Sequence, residues 1–201
     1  MDLEQTFGEI DIYVFDQLLK GRIRPGDRVL DAGCGSGRNL IYLLQAGIDV
    51  WAADSNPHAV AEVRDLAARL SPATPPDRFV VSSLDRLPFP DRSFSVVICS
   101  AVLHFAANDE SFHGMVDGLW RVLAPGGMLF ARLATTIGIE GQARPLGNGQ
   151  FALPDGSQRY LTNEETLMTL THSLGGQLLD PLKTTIVQNQ RSMTTWVVRK
   201  R

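Results

Sequence analysis

Apolar positions along the chain alternate between two rhythms. Ile10, Tyr13, Val14, Phe15, Leu18 and Leu19 recur at helical spacing, which predicts a helix over 9–20 that Gly21 closes. Pro25-Gly26-Asp27 reads as a turn, and Arg28 to Asp31 as a short buried strand. A glycine-rich stretch follows, then a helical pattern over Asn39–Gln45 and a second strand over Ile48–Ala53. Asn56-Pro57 opens a helix to about Leu70, with proline in the first turn, where its missing N–H costs little. SPATPP (71–76) ends it. Arg78–Val81 and Ser93–Cys99 read as a third and a fourth strand; the latter, SFSVVIC, barely alternates, as expected where both faces are covered. A helix over Glu110–Leu123 and a strand over Met128–Leu133 complete the regular part.

Strands alternating with helices at this spacing imply a parallel sheet with right-handed crossovers. Residues 135–160 break the rhythm: with five glycines and two prolines they read as a long loop, a candidate lid. Thr162 to Glu165 has the form of a capping box for a helix to Leu174. Gln177–Val187 and Ser192–Arg199 then read as a terminal antiparallel hairpin. The expected architecture is one Rossmann-like α/β domain over 1–201. It has a seven-stranded, mostly parallel sheet with helices on both faces, and an N-terminal helical segment (1–24) over the site.

Bulk composition narrows the function classes. A chain of 201 residues with 44% hydrophobic and 20% charged residues suits one soluble domain. A net charge of -3 offers no general attraction to a polyanion, so nucleic acid is not the expected partner. The two cysteines, Cys34 and Cys99, make neither a disulfide framework nor a metal-ligand pattern, and they fit a reducing, cytoplasmic compartment. The four histidines have no metal spacing either. The acidic start MDLEQTFGEIDIYVF does not read as a secretory signal, and no stretch is long and apolar enough to span a bilayer.

The chemistry concentrates in Leu30–Asn39, LDAGCGSGRN. In a parallel sheet, ligands collect beyond the C-terminal ends of the strands, where a glycine turn lets them approach the backbone and the next helix offers free N–H groups. The dinucleotide pattern G-x-G-x-x-G fails here, because Arg38 stands in the third glycine's place counting from Gly33 and Gly35. No phosphate-cradling G-x-x-x-x-G-K is present. Asp31, before the first glycine, would repel a pyrophosphate and suits a ligand carrying positive charge. Asp54, at the end of the second strand, stands where an acid accepts both ribose hydroxyls of a nucleoside.

VLDAGCGSGRN, Asp54, DRLPFPDRSFSVVICSAVLHF and RVLAPGG, in that order and spacing over about 27–134, resemble the class I S-adenosylmethionine-dependent methyltransferases. GRNLIYLLQAGIDVWAADSNP and AVLHF are further similar to the tellurite-resistance-type enzymes and related bacterial small-molecule methyltransferases. The resemblance implies S-adenosylmethionine as cofactor. Asp31 and the backbone of Gly33, Cys34, Gly35 and Gly37 would hold its methionine part, Asp54 with Ser55 the ribose, and Leu84 the adenine through its N–H. Ser83 or Asp85 would receive the adenine amino group, and Ser100 would offer its carbonyl. His104 is the candidate catalytic residue, as a base or acceptor-orienting group, with a packed, loop-holding histidine as the alternative. Arg132, Arg144, Arg159 and Tyr160 are open candidates on the acceptor side. The function expected is methyl transfer to a small-molecule acceptor. The alternatives are an oxyanion acceptor such as tellurite or selenite, a non-catalytic cofactor-binding module acting through a partner, and, last, a nicotinamide oxidoreductase.

Overall fold

The computed structural model describes residues 2–201. Met1, part of the expected N-terminal segment, lies outside them. The chain runs α1 (Leu3–Phe7), α2 (Ile12–Leu19), β1 (Arg28–Ala32), α3 (Ile41–Gln45), β2 (Asp49–Asp54), α4 (Pro57–Leu70), β3 (Phe79–Val81), β4 (Phe94–Ser100), α5 (Asp109–Val122) and β5 (Leu123–Ala134). It continues through β6 (Arg144–Gly147), β7 (Gln150–Ala152), β8 (Gln158–Tyr160), α6 (Glu164–Ser173), β9 (Gly176–Leu178), β10 (Lys183–Val187) and β11 (Arg191–Lys200).

The main sheet has the order β10-β11-β5-β4-β1-β2-β3, with β9 also paired to β11. Strands β1 to β5 are mutually parallel, whereas β11 runs antiparallel to β5, β9 and β10. The order reverses between β1 and β4, so a crevice opens beyond their C-terminal ends, the usual ligand position in such sheets.

The run of apolar residues in the central strands serves two layers at once. Val29, Val96, Ile98, Phe130 and Val197 join Val14, Leu43 and Val63 from α2, α3 and α4 in one cluster. Their chain neighbours Leu30, Val97, Leu129, Trp196 and Val198 join Phe112 and Leu119 of α5 and Leu167 of α6 in the other. This follows from the twofold periodicity of a strand: consecutive residues face opposite layers, so both must be apolar.

Several sequence expectations shift in the folded chain. The helix expected over 9–20 is α2, which Asp11 caps by accepting the Tyr13 N–H, and the short helix α1, ended by Gly8 at φ +55°, precedes it without having been expected. The expected capping box at Thr162 is replaced by an Asn163 cap, whose side chain accepts the Thr166 N–H, while the Thr162 hydroxyl is buried without a partner. Residues 177–187 divide into β9 and β10, both laid against β11. The 135–160 segment is not an irregular loop. It carries the three-stranded antiparallel sheet β6-β7-β8, with its own apolar cluster of Ala134, Ile139, Ala143, Leu153 and Leu161. Gly149 and Gly156, both at positive φ, make the turns between its short strands.

Candidate functional site

The turn after β1 is clamped to β2, since the N–H groups of Gly33 and Cys34 both donate to the Ala53 carbonyl at 2.7 and 3.1 Å. Its glycines do different work. A Cβ on Gly33 would run into the Val102 side chain, so the turn needs glycine to sit against the segment after β4. A Cβ on Gly35 would meet nothing within 4 Å, and this left-handed residue (φ +52°) faces open space. Gly37 packs against Val63 and Leu66 of α4 and does not line the opening.

Above the turn is an open cavity of about 730 Å³. Gly33 to Ser36, Arg38 and Asn39 form its floor, Asp54 and Ser55 one side, and Ser83 to Asp85 the far wall. Ser100 to Val102 and Phe105 line it from the segment after β4, and Ser111 and Met115 from α5, which packs on Leu84 and Asp85. Of the residues expected at a cofactor, Gly33, Cys34, Gly35, Asp54, Ser55, Ser83, Leu84 and Ser100 thus meet around one space. Gly37 and Asp31 stand behind it.

Two carboxylates define the electrostatics of the turn. Asp54 accepts the Gly35 N–H at 2.9 Å through one oxygen and the Asn56 N–H at 2.8 Å through the other. Each oxygen retains a lone pair for a hydroxyl donor. Asp31 is 1% exposed, and neither of its oxygens has a hydrogen-bond partner. Burial lifts its carboxyl to about 7, with the Arg38 charge and the nearby Asn39 side chain, which is not within bonding geometry, opposing the rise and the Asp54 charge adding to it. An unpartnered buried carboxyl is costly, and a cationic ligand group at the turn would relieve it. With the space left open at Gly35, this donor set fits S-adenosylmethionine.

Leu84 and Asp85 reach the cavity because α5 has glycine where it crosses them. A Cβ on Gly118 would collide with the Leu84 carbonyl oxygen, and one on Gly114 would touch the Asp85 side chain at 3.6 Å. The Ser83 hydroxyl holds the Asp85 carboxyl below the usual range. Burial places both cysteine thiols well above theirs, so neither is a nucleophile at neutral pH.

Asp11 was not singled out in the sequence, yet it organises the rim. It is 4% exposed, accepts the Ser100 hydroxyl at 2.8 Å, and pairs with Arg132 at 3.4 Å and Arg38 at 3.5 Å. Its own N–H donates to the Asn39 side chain at 3.0 Å. The start of α2 is thereby fastened to the glycine turn, β4 and β5 together. No local pattern marks this: the residue reads only as a helix cap, and its partners here lie 27 to 121 positions away.

His104 is set apart from the cavity lining. It is 8% exposed, its Nδ1 accepts the Ala134 N–H at 3.3 Å, and its ring lies against Phe105. Burial, with the charges of Arg159 and Arg132, pushes it down to about 4. A neutral imidazole whose free lone pair already holds a backbone N–H is poorly placed to take a proton. This geometry matches the loop-holding alternative.

A family model described as a methyltransferase domain matches residues 29–127. An uncharacterized methyltransferase of Synechocystis is 31% identical over 166 residues, which span 83% of this chain and 70% of that protein. The 27-O-demethylrifamycin SV methyltransferase of Amycolatopsis mediterranei is 33% identical over 65% of this chain, which spans half of that protein's length. Among solved structures, an S-adenosylmethionine-dependent methyltransferase from Methanosarcina mazei superposes with a TM-score of 0.73 at 22% identity, covering 91% of this chain and 96% of that one. No helix among the described residues is long and apolar enough to cross a membrane, and no cluster among them could hold a metal ion. With the open glycine turn, the Asp54 carboxylate bonded to it and the relative from Synechocystis in agreement, the chain belongs to the class I S-adenosylmethionine-dependent methyltransferases.

Proposed function

We propose that the protein transfers the methyl group of S-adenosylmethionine to a small organic molecule. The observation that carries this reading is Asp31, an unpartnered buried carboxyl directly behind a glycine turn that opens on a large cavity. When bound, the cofactor supplies an electrophilic methyl group on a sulfonium. Asp31 would hold its ammonium, Asp54 its ribose hydroxyls, and the Leu84 N–H its adenine. The Gly118 crossing keeps that last backbone in place.

The residues lining the cavity supply position more than acid–base chemistry. Arg38 cannot release a proton, Asp54 is bonded to two backbone donors, Asp85 is a weak base, and the Cys34 thiol stays protonated. Aligning nucleophile, methyl and sulfur is itself worth several kcal/mol of barrier, roughly 7–11 in well-oriented systems. The acceptor would therefore present an atom that is already ionised or carries a free lone pair. A small-molecule acceptor is supported by the relative named as a 27-O-demethylrifamycin SV methyltransferase.

The test is calorimetric titration with S-adenosylhomocysteine, followed by its release as product in an acceptor screen. Failure to bind S-adenosylhomocysteine would overturn the reading.

A further inference from the structure

Among the residues lining the cavity, Phe105 is the large apolar side chain most open to solvent, at 62% exposed. The Arg159 guanidinium lies over its ring, 5.0 Å from the centroid. Its hydrogen bond goes to the Gln158 carbonyl, and no carboxylate of the described residues forms an ion pair with it. Asp155 feels its charge without pairing.

This pair is rigidly placed. Next to Arg159 in β8, the buried Tyr160 donates to Asp109 at 2.8 Å and stacks on Phe112 with centroids 4.6 Å apart. Gln150 in β7 donates to the carbonyls of Ala106 and Ala107, just past Phe105, at 2.6 and 3.2 Å. The small sheet is therefore fastened to the segment that carries Phe105, and it sets a cation beside that residue of the cavity lining. The positive field reaches His104, whose charged form Arg159 and Arg132 both disfavour.

We propose that Phe105 and Arg159 form the acceptor subsite and select a planar molecule bearing a carboxylate. The inference rests on the methyltransferase reading and names its substrate class. An exposed aromatic ring in a cavity mouth favours a flat apolar partner. An arginine fork with free N–H groups matches a carboxylate in two parallel hydrogen bonds, and an uncharged acceptor would leave that fork unpaired.

The test uses protein saturated with S-adenosylhomocysteine, titrated with 2-naphthoate and its uncharged counterpart 2-naphthamide. Naphthoate is expected to bind at least about tenfold more tightly, roughly 1.4 kcal/mol. Arg159→Gln should erase that preference while leaving S-adenosylhomocysteine affinity in place, Arg159→Lys should restore part of it, and Phe105→Ala should weaken both probes. A rise in the His104 pKa of Arg159→Gln, followed by NMR, would show that the variant is folded and the field is removed. Equal binding of the two probes, no binding of naphthoate, or a preference that survives Arg159→Gln overturns the subsite. Loss of S-adenosylhomocysteine binding in the unaltered protein would instead overturn the methyltransferase reading beneath it.

Discussion

The glycine turn and the Phe105–Arg159 pair are built on different plans. The first belongs to a series of strand ends: the 33–39 turn, Asp54 and the 83–85 segment, each beyond the C-terminal end of a neighbouring parallel strand. The proposed acceptor subsite joins Phe105 from the segment after β4 to Arg159 from the small sheet. The first is anchored by backbone geometry and the second by side-chain contacts. A common cofactor needs a constant cradle, whereas acceptors differ between enzymes, so only the cradle has a recurring local form.

The largest expected break falls on the cradle. Gly33→Val drives a branched side chain into Val102 at a backbone angle of +78°, and should cost roughly 3 kcal/mol of stability together with measurable cofactor binding. Thermal unfolding and calorimetry read both. Asp54→Ala comes next: S-adenosylhomocysteine affinity should fall tenfold or more, roughly 1.4 kcal/mol. Selectivity between naphthoate and naphthamide should persist, because Arg159, not Asp54, sets it.

Proton linkage tests the same contrast. The Asp31 carboxyl titrates near 7 in the folded chain against 3.8 for an ordinary aspartate, so between those values the native state holds a proton that the unfolded chain has lost. Stability of the ligand-free protein should therefore fall as pH rises from about 4 to about 7 and level off above. S-adenosylhomocysteine, whose ammonium favours the ionised carboxylate, should bind more tightly as pH rises through 7, releasing a proton. Asp31→Asn should flatten both dependences, and calorimetry in buffers of different ionisation enthalpy counts the proton.

The smallest effect belongs to His104. His104→Asn, which keeps an acceptor for the Ala134 N–H, should hold turnover within about threefold, and His104→Ala should lower stability by about 1 kcal/mol. A hundredfold loss of kcat in His104→Asn, with cofactor affinity intact, would return the histidine to the chemistry.

What the sequence determined by itself was the frame and the glycine turn. Apolar runs of strand length, the helix start at Asn56-Pro57, and the D-x-G-x-G-x-G turn are local features whose meaning does not depend on distant residues. Asp31 and Asp54 were legible because strand ends in a parallel sheet converge by rule. Tertiary structure alone decided that Gly37 serves packing, that Gly118 admits the Leu84 backbone, and that Asp11 joins Arg38, Ser100 and Arg132. It also decided that 135–160 folds into a sheet placing Arg159 on Phe105. These are contacts between segments far apart in the chain. A sequence pattern records the period of a strand or helix, but not which of its side chains will meet another element, because that follows from how the layers pack.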